Sequence, residues 1–160
     1  MIPEPLKQEL QLRVAAAVTP REAAVDIMKE LQSHYGWLSD EAVAEAAELL
    51  GLSTLQVDEL ATFYEMIYRR PVGQTVIHVC DSISCWAMGG ETLLRHLERI
   101  LGIEAGGTNA DGAFTLLPCS CLGNCGDAPA IMIGEQHYGR VTAERATEII
   151  NTERQRNVPS

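Results

Sequence analysis

Apolar positions in the first part of the chain recur at helical spacing, and the breaks between the runs carry helix-capping residues. Leu6, Leu10 and Val14 predict a helix over Leu6 to Val18. Thr19-Pro20-Arg21-Glu22 then supplies an N-cap, a proline at the first helical position and the reciprocal glutamate of a capping box. Ala24, Ile27, Met28 and Leu31 form one apolar face of the helix that follows, and Gly36 is placed to close it. Ser39 opens a third helix carried by Val43, Ala46, Ala47 and Leu50 and stopped at Gly51. Ser53-Thr-Leu-Gln56 is another capping signal, followed by Val57, Leu60, Ala61, Tyr64 and Ile67, with Pro71 as the terminator. Short connections between these helices predict an antiparallel bundle.

At Pro71-Val72-Gly73 the period changes. Thr75 to Val79 is short and β-branched, so it predicts a strand that delivers Cys80 at its end. Glu91 to Leu101 returns to helical spacing through Leu94, Leu97 and Leu101, and Ala105 to Gly112 reads as a loop. Phe114 to Leu117 predicts a strand running into Pro118 and a second group of cysteines. Ala130 to Ile133 and His137 to Val141 predict a hairpin around Gly134, and Thr142 opens a last helix to about Arg154, with a frayed tail beyond it. The expected architecture is α+β: a helical bundle over residues 1–72, then a domain over residues 73–160 with the order β-α-β-β-β-α.

The five cysteines fall in two groups, Cys80 with Cys85 and Cys119 with Cys121 and Cys125. Each group ends a predicted strand. Thiols gathered at strand ends suit a metal centre, whereas a core would scatter them. Apolar content of 46% and charge of 21% are ordinary for a globular protein of 160 residues. No apolar run approaches the roughly 20 residues a membrane span needs. The first ten residues carry acids and prolines where a secretion signal needs a basic start. A reducing cytosol is therefore expected, where clustered cysteines serve metal or redox chemistry. The odd cysteine count disfavours a disulfide framework, and a net charge of −10 disfavours nucleic acid or anionic lipid as partner.

The spacing C-x4-C, a long gap, then C-x3-C suits four thiolates around either a 2Fe–2S cluster or a zinc ion. Zinc would make the chain a zinc-stabilised interaction module. A dithiol redox site is a third reading, weakened by the lack of C-x-x-C. Wide loops favour iron, as do Ser82, Ser84, Gly123 and Gly126, small residues whose N–H groups can point at sulfur.

Thr62-Phe-Tyr, Arg70-Pro-Val-Gly73, Val79-Cys80-x4-Cys85 and Cys121-Leu-Gly-Asn-Cys125-Gly-Asp-Ala-Pro129, with Gly36-Trp37-Leu38 in the helical front, form a specific set. Over nearly the whole chain it resembles the E-type, thioredoxin-like 2Fe–2S subunit of NADH:quinone oxidoreductase, respiratory complex I. The resemblance implies a thioredoxin-like second domain and one cluster held by Cys80, Cys85, Cys121 and Cys125, with Cys119 left over. It implies an electron-transfer subunit of an oxidoreductase, without catalytic residues of its own. FMN and NADH would sit on an F-type partner subunit. Further iron–sulfur subunits would complete a peripheral arm on the cytoplasmic side of the inner membrane. The equivalent subunit of an NAD-linked hydrogenase or formate dehydrogenase is the alternative.

Other residues carry less. His78 shares a strand face with Cys80 and reads as an ordinary core or surface histidine, and Trp37 reads as core. Trp86, beside a cysteine on an expected loop, either packs over the cluster or faces a partner, and docking is expected to use Ile83, Trp86 and Leu122 with most area from the helical front. Gly106 to Gly112 lacks the Lys-Ser or Lys-Thr of a phosphate loop and reads as a turn. No Lys or Arg occurs from Pro71 to Leu94 or from Cys119 to Gly139, while Asp81 and Asp127 lie near expected ligands. That charge pattern predicts a potential near the roughly −400 mV of plant-type ferredoxins.

Overall fold

The computed structural model describes residues 2–157, and the tail beyond residue 157 lies outside the described residues. The chain forms two compact units, Met1–Pro71 and Val72–Ser160.

In the first unit, local chemistry sets most helix ends. Helix α1 spans Glu4–Ala16, α2 Pro20–Tyr35, α3 Asp40–Leu50 and α4 Thr54–Phe63. Gly36 and Gly51 close α2 and α3 in the left-handed region at φ 84° and 64°, where a side chain would be strained. The Ser39 hydroxyl accepts from the Ala42 amide, and Ser53 and Gln56 form a complete capping box. The capping box expected at Thr19 does not form. Glu22 instead accepts from the amide of Val18, one residue earlier, and the Thr19 side chain makes no cap bond. Leu10, Ile27, Met28, Leu31, Leu50 and Val57 are fully buried in one core. Leu38 joins it, whereas Trp37 is only half-buried, so the expected core aromatic is replaced by its neighbour.

The larger correction is α4, which ends at Phe63 and not at Pro71. Residues 64–70 are captured by other parts of the unit. The Gln32 side chain donates to Met66 O at 2.9 Å and accepts from Tyr68 N at 2.5 Å, and Leu38 N donates to Tyr68 O at 2.7 Å. Arg69 donates to Asp58 Oδ1 at 2.8 Å, to Asp40 Oδ1 at 2.7 Å and to the Leu38 carbonyl. These long-range bonds outweigh a helical apolar pattern worth a few tenths of a kcal/mol per residue. Ile67 is still buried, but from an irregular segment. Arg69→Ala is expected to cost about 1–3 kcal/mol, because three acceptors lose a charged donor. Thermal denaturation followed by circular dichroism checks this.

In the second unit, β1 (Thr75–Cys80) and β2 (Phe114–Cys119) are parallel, β3 (Ile131–Ile133) is antiparallel to β1, and β4 (Gln136–Tyr138) is antiparallel to β3. The strand order is β2-β1-β3-β4. A parallel pair needs a helical crossover. Here it contains α5 (Ile83–Ala87) and α6 (Gly90–Leu101), and α7 (Ala143–Arg156) follows the hairpin. Helix α5 is a further correction, since this stretch reads as a loop by sequence. Leu93, Leu97, Ile149 and Ile150 from α6 and α7 share a core with Ile77, Leu116 and Ile131 of the sheet. The Thr142 hydroxyl caps α7 by accepting from Arg145 N, and Gly134 turns the hairpin at φ 57°. Pro118 fits because β2 is an edge strand, with one side free of any strand that would miss its amide. His78 is buried in β1, opposite Leu117 and Met132. The α+β expectation holds.

Candidate metal centre

Strands β1 and β2 end level with each other, Cys80 opposite Cys119. In parallel sheets, sites form just beyond such carboxyl ends. Cys80 closes β1, with its amide bonded to Ala130 O at 3.1 Å. The chain then turns into α5, which holds Cys85 in the interior. Gly90, the first residue of α6, makes this possible by lying against the Cys85 backbone. A Cβ at Gly90 would sit 2.8 Å from Cys85 O and 2.9 Å from Cys85 C. Beyond β2, Cys121 and Cys125 lie on an exposed loop that ends in the 3-10 turn Cys125–Asp127.

The four thiols are gathered as two pairs. Cys121 Sγ and Cys125 Sγ are 3.4 Å apart, near the roughly 3.8 Å expected for two thiolates on one tetrahedral metal. Cys80 and Cys85 form a buried pair linked by a thiol hydrogen bond. Ala128, Ala130 and Leu122 pack around that pair, so half of the site is dry and half faces solvent. The pairs also feel each other, since Cys125 interacts by charge with both Cys80 and Cys85. Ser84 of α5 reaches across and donates to Cys125. No set of three His, Cys, Asp or Glu side chains among the described residues converges on a single metal ion. Four thiols set out as two pairs are a donor set that can hold a binuclear iron–sulfur cluster.

Backbone and hydroxyl donors complete the site. Burial works against ionising Cys80, but the amides of Leu122 and Ser82, the Cys85 thiol and the Ser82 hydroxyl outweigh it and hold Cys80 below the ordinary thiol value. Cys85 goes the other way: burial and its bond to Cys80 push it up to about 11 despite a donor at Ala130. Cys125 is raised by its bond to Cys121, with Ser84 opposing. The Gly123 amide donates to Cys121 Sγ at 3.4 Å. Donors aimed at sulfur, a soft ligand set and a partly dry pocket suit an iron–sulfur cluster.

Of the four small residues expected to turn an amide toward sulfur, Ser82 and Gly123 do so, Ser84 reaches Cys125 with its side chain instead, and Gly126 contributes no amide bond to sulfur among those described. Sequence reasoning missed Gly90, the Leu122 amide and Arg140, whose guanidinium pairs with Asp127 at 2.7 Å. The Gly89-Gly90 pair was the available signal for the first. Leu122, expected at a docking surface, is half-buried against the thiols, while Ile83 and Trp86 are 75% and 60% exposed. Cys119 is buried at the last position of β2.

A four-stranded α/β domain whose parallel strands end at paired, amide-supported thiols defines a small thiolate-cluster carrier. The family model for the thioredoxin-like [2Fe-2S] ferredoxin matches residues 10–154, and the chain belongs to that family. The E subunit of NADH-quinone oxidoreductase from Pseudomonas aeruginosa is 42% identical over 131 residues, covering 82% of this chain and 79% of that one. Its namesake from Escherichia coli K12 is 41% identical over the same shares. Among solved structures, an air-oxidized NAD+-reducing [NiFe]-hydrogenase superposes with a TM-score of 0.69 at 25% identity. The match covers 83% of this chain and 23% of that longer one.

Proposed function

We propose that this chain is the electron-transfer subunit of an NADH:quinone oxidoreductase, with Cys80, Cys85, Cys121 and Cys125 as the ligands of one 2Fe–2S cluster. The observation that carries this is the convergence of four thiols, from two distant segments, as two pairs beyond β1 and β2. When bound, the cluster accepts and releases one electron at a time. The chain's own residues do the rest. Cys80 and Cys85 hold the dry side against Ala128, Ala130 and Leu122. Cys121 and Cys125 present the side nearer solvent, and the amides of Leu122, Ser82 and Gly123 favour the charged sulfurs. No residue of this chain is assigned a bond-making role.

The partner is an F-type subunit carrying FMN and the NADH site, with further iron–sulfur subunits of a peripheral arm on the cytoplasmic side of the inner membrane. No described helix is long and apolar enough to cross a membrane. Ile83 and Trp86 on α5 suit docking, because large apolar side chains left exposed beside a redox centre favour a protein partner. The hydrogenase likeness supports the same electron-transfer role in another NAD-linked assembly. The higher identity over most of the relatives' length favours the quinone-linked one.

Hydride moves as an electron pair and a 2Fe–2S cluster takes one electron, so direct reduction by NADH needs a flavin between them. The purified, reconstituted chain is expected to bleach with dithionite but not with NADH. Adding the F-type subunit is expected to restore reduction by NADH, and Trp86→Ala to slow it or weaken the complex while iron content stays unchanged. Stopped-flow absorbance reads both. Rapid reduction by NADH with no flavin present would sink the proposal.

A further inference from the structure

The segment joining β4 to α7 crosses the ligand-bearing turn. At Gly139 the approach is so close that a Cβ would lie 2.5 Å from Asp127 Cβ and 2.8 Å from Asn124 Nδ2. The next residue, Arg140, donates its amide to Asp127 O at 2.6 Å and its Nε to Asp127 Oδ1 at 2.7 Å. Val141 N then donates to Pro129 O at 3.1 Å. Three successive residues thus strap down the turn that begins with Cys125. Arg140 does so at φ 50°, a region most non-glycine residues avoid, so neighbouring contacts hold it there.

The charge balance gives the strap a second role. Neither thiol segment contains a Lys or Arg, and Asp127 lies two residues from Cys125. An unmatched carboxylate there would oppose adding an electron. Arg140 supplies, through the fold, the cation that both segments lack.

We infer that Arg140 is a positioning residue that pins the Cys125 turn through Asp127 and, by neutralising that carboxylate, raises the midpoint potential of the cluster. The inference rests on the ligand assignment proposed above. Both side chains are largely open to water, at 79% and 48% exposure, so the effect is partly screened and shrinks as salt rises.

The test is a potentiometric titration, followed by electron paramagnetic resonance, of the chain reconstituted with ferrous iron and sulfide. Arg140→Lys and Arg140→Gln both keep an unbranched side chain at the same backbone angle, so they differ chiefly in charge. Asp127→Asn is expected to have the highest potential and Arg140→Gln the lowest. Wild type, Arg140→Lys and the double variant Arg140→Gln/Asp127→Asn are expected to group between them. The spread is expected to narrow at high salt. An unchanged or raised potential in Arg140→Gln, or an Arg140→Lys protein that behaves like it, overturns the inference. Should Arg140→Gln fail to fold, Asp127→Asn carries the test, and a potential at or below wild type overturns it. Wild-type protein that takes up no iron and sulfide would instead overturn the ligand assignment.

Discussion

Single replacement of Cys80, Cys85, Cys121 or Cys125 by alanine is expected to reduce bound iron and acid-labile sulfide by more than about tenfold, since changes one shell further out already cost roughly 10- to 100-fold in metal affinity. One of the two irons would lose one of its two protein thiolates, and the open position admits water. The two pairs are expected to fail differently. Cys80 and Cys85 are buried among Ala128, Ala130 and Leu122, so their loss also removes packing. A modest fall in thermal stability accompanies it even without metal. Cys121 and Cys125 are exposed, and alanine there is expected to leave the metal-free fold unchanged. Cys119→Ala is expected to retain the cluster, because that residue closes β2 inside the sheet ladder. Iron and sulfide assays with visible absorption spectra check the series. A Cys119→Ala protein without iron, beside a Cys121→Ala protein that keeps it, would reverse the assignment.

The second large effect is expected from a residue with no ligating atom. Gly90→Ala places a methyl group within 3 Å of the backbone carbonyl of Cys85, and a carbonyl held inside a helical turn cannot rotate away as a flexible side chain could. Either α5 or the start of α6 must move, and α5 carries Cys85, Ser84 and Trp86. Overpacking of this kind costs about 1–3 kcal/mol, or roughly 4–8 °C in melting temperature per kcal/mol for a unit of this size. The displacement of Cys85 is expected to lower cluster occupancy as well. Gly126→Ala is the contrasting variant. Gly126 follows the proposed ligand Cys125 directly, yet nothing lies within 4 Å of the place its methyl group would take, and its φ is not positive. It is expected to keep both cluster and stability. Melting curves and iron content of the two variants decide the matter, and equal behaviour would count against the close contact at Gly90.

The local absence of cations predicts a low potential, and Arg140 moderates that expectation. Asp127 is charge-matched, whereas Asp81, next to Cys80, is exposed on the turn into α5. The net field at the cluster remains acidic but weaker than the thiol segments alone imply.

Features that depend on neighbours along the chain are legible in the sequence by itself. Gly36 and Gly51 stop helices because they adopt the left-handed conformation easily, and Ser39 and Ser53 start them because a hydroxyl reaches an amide three residues on. The strands ending at the cysteines follow from β-branched runs, and the cysteine spacing itself favours a thiolate-bound metal over a dithiol redox site. What the tertiary structure decided involves partners far apart in sequence. Helix α4 stops early because Gln32 and Leu38 claim the backbone of residues 66–68 and Arg69 bridges Asp40 and Asp58, contacts no helical periodicity contains. Gly90 matters only because α6 starts against the carbonyl of Cys85. Arg140 reaches Asp127 because the hairpin returns the chain over the thiol loop. Capping and periodicity are short-range and can be read along the chain, while close approach and charge matching exist only once the chain has folded back on itself.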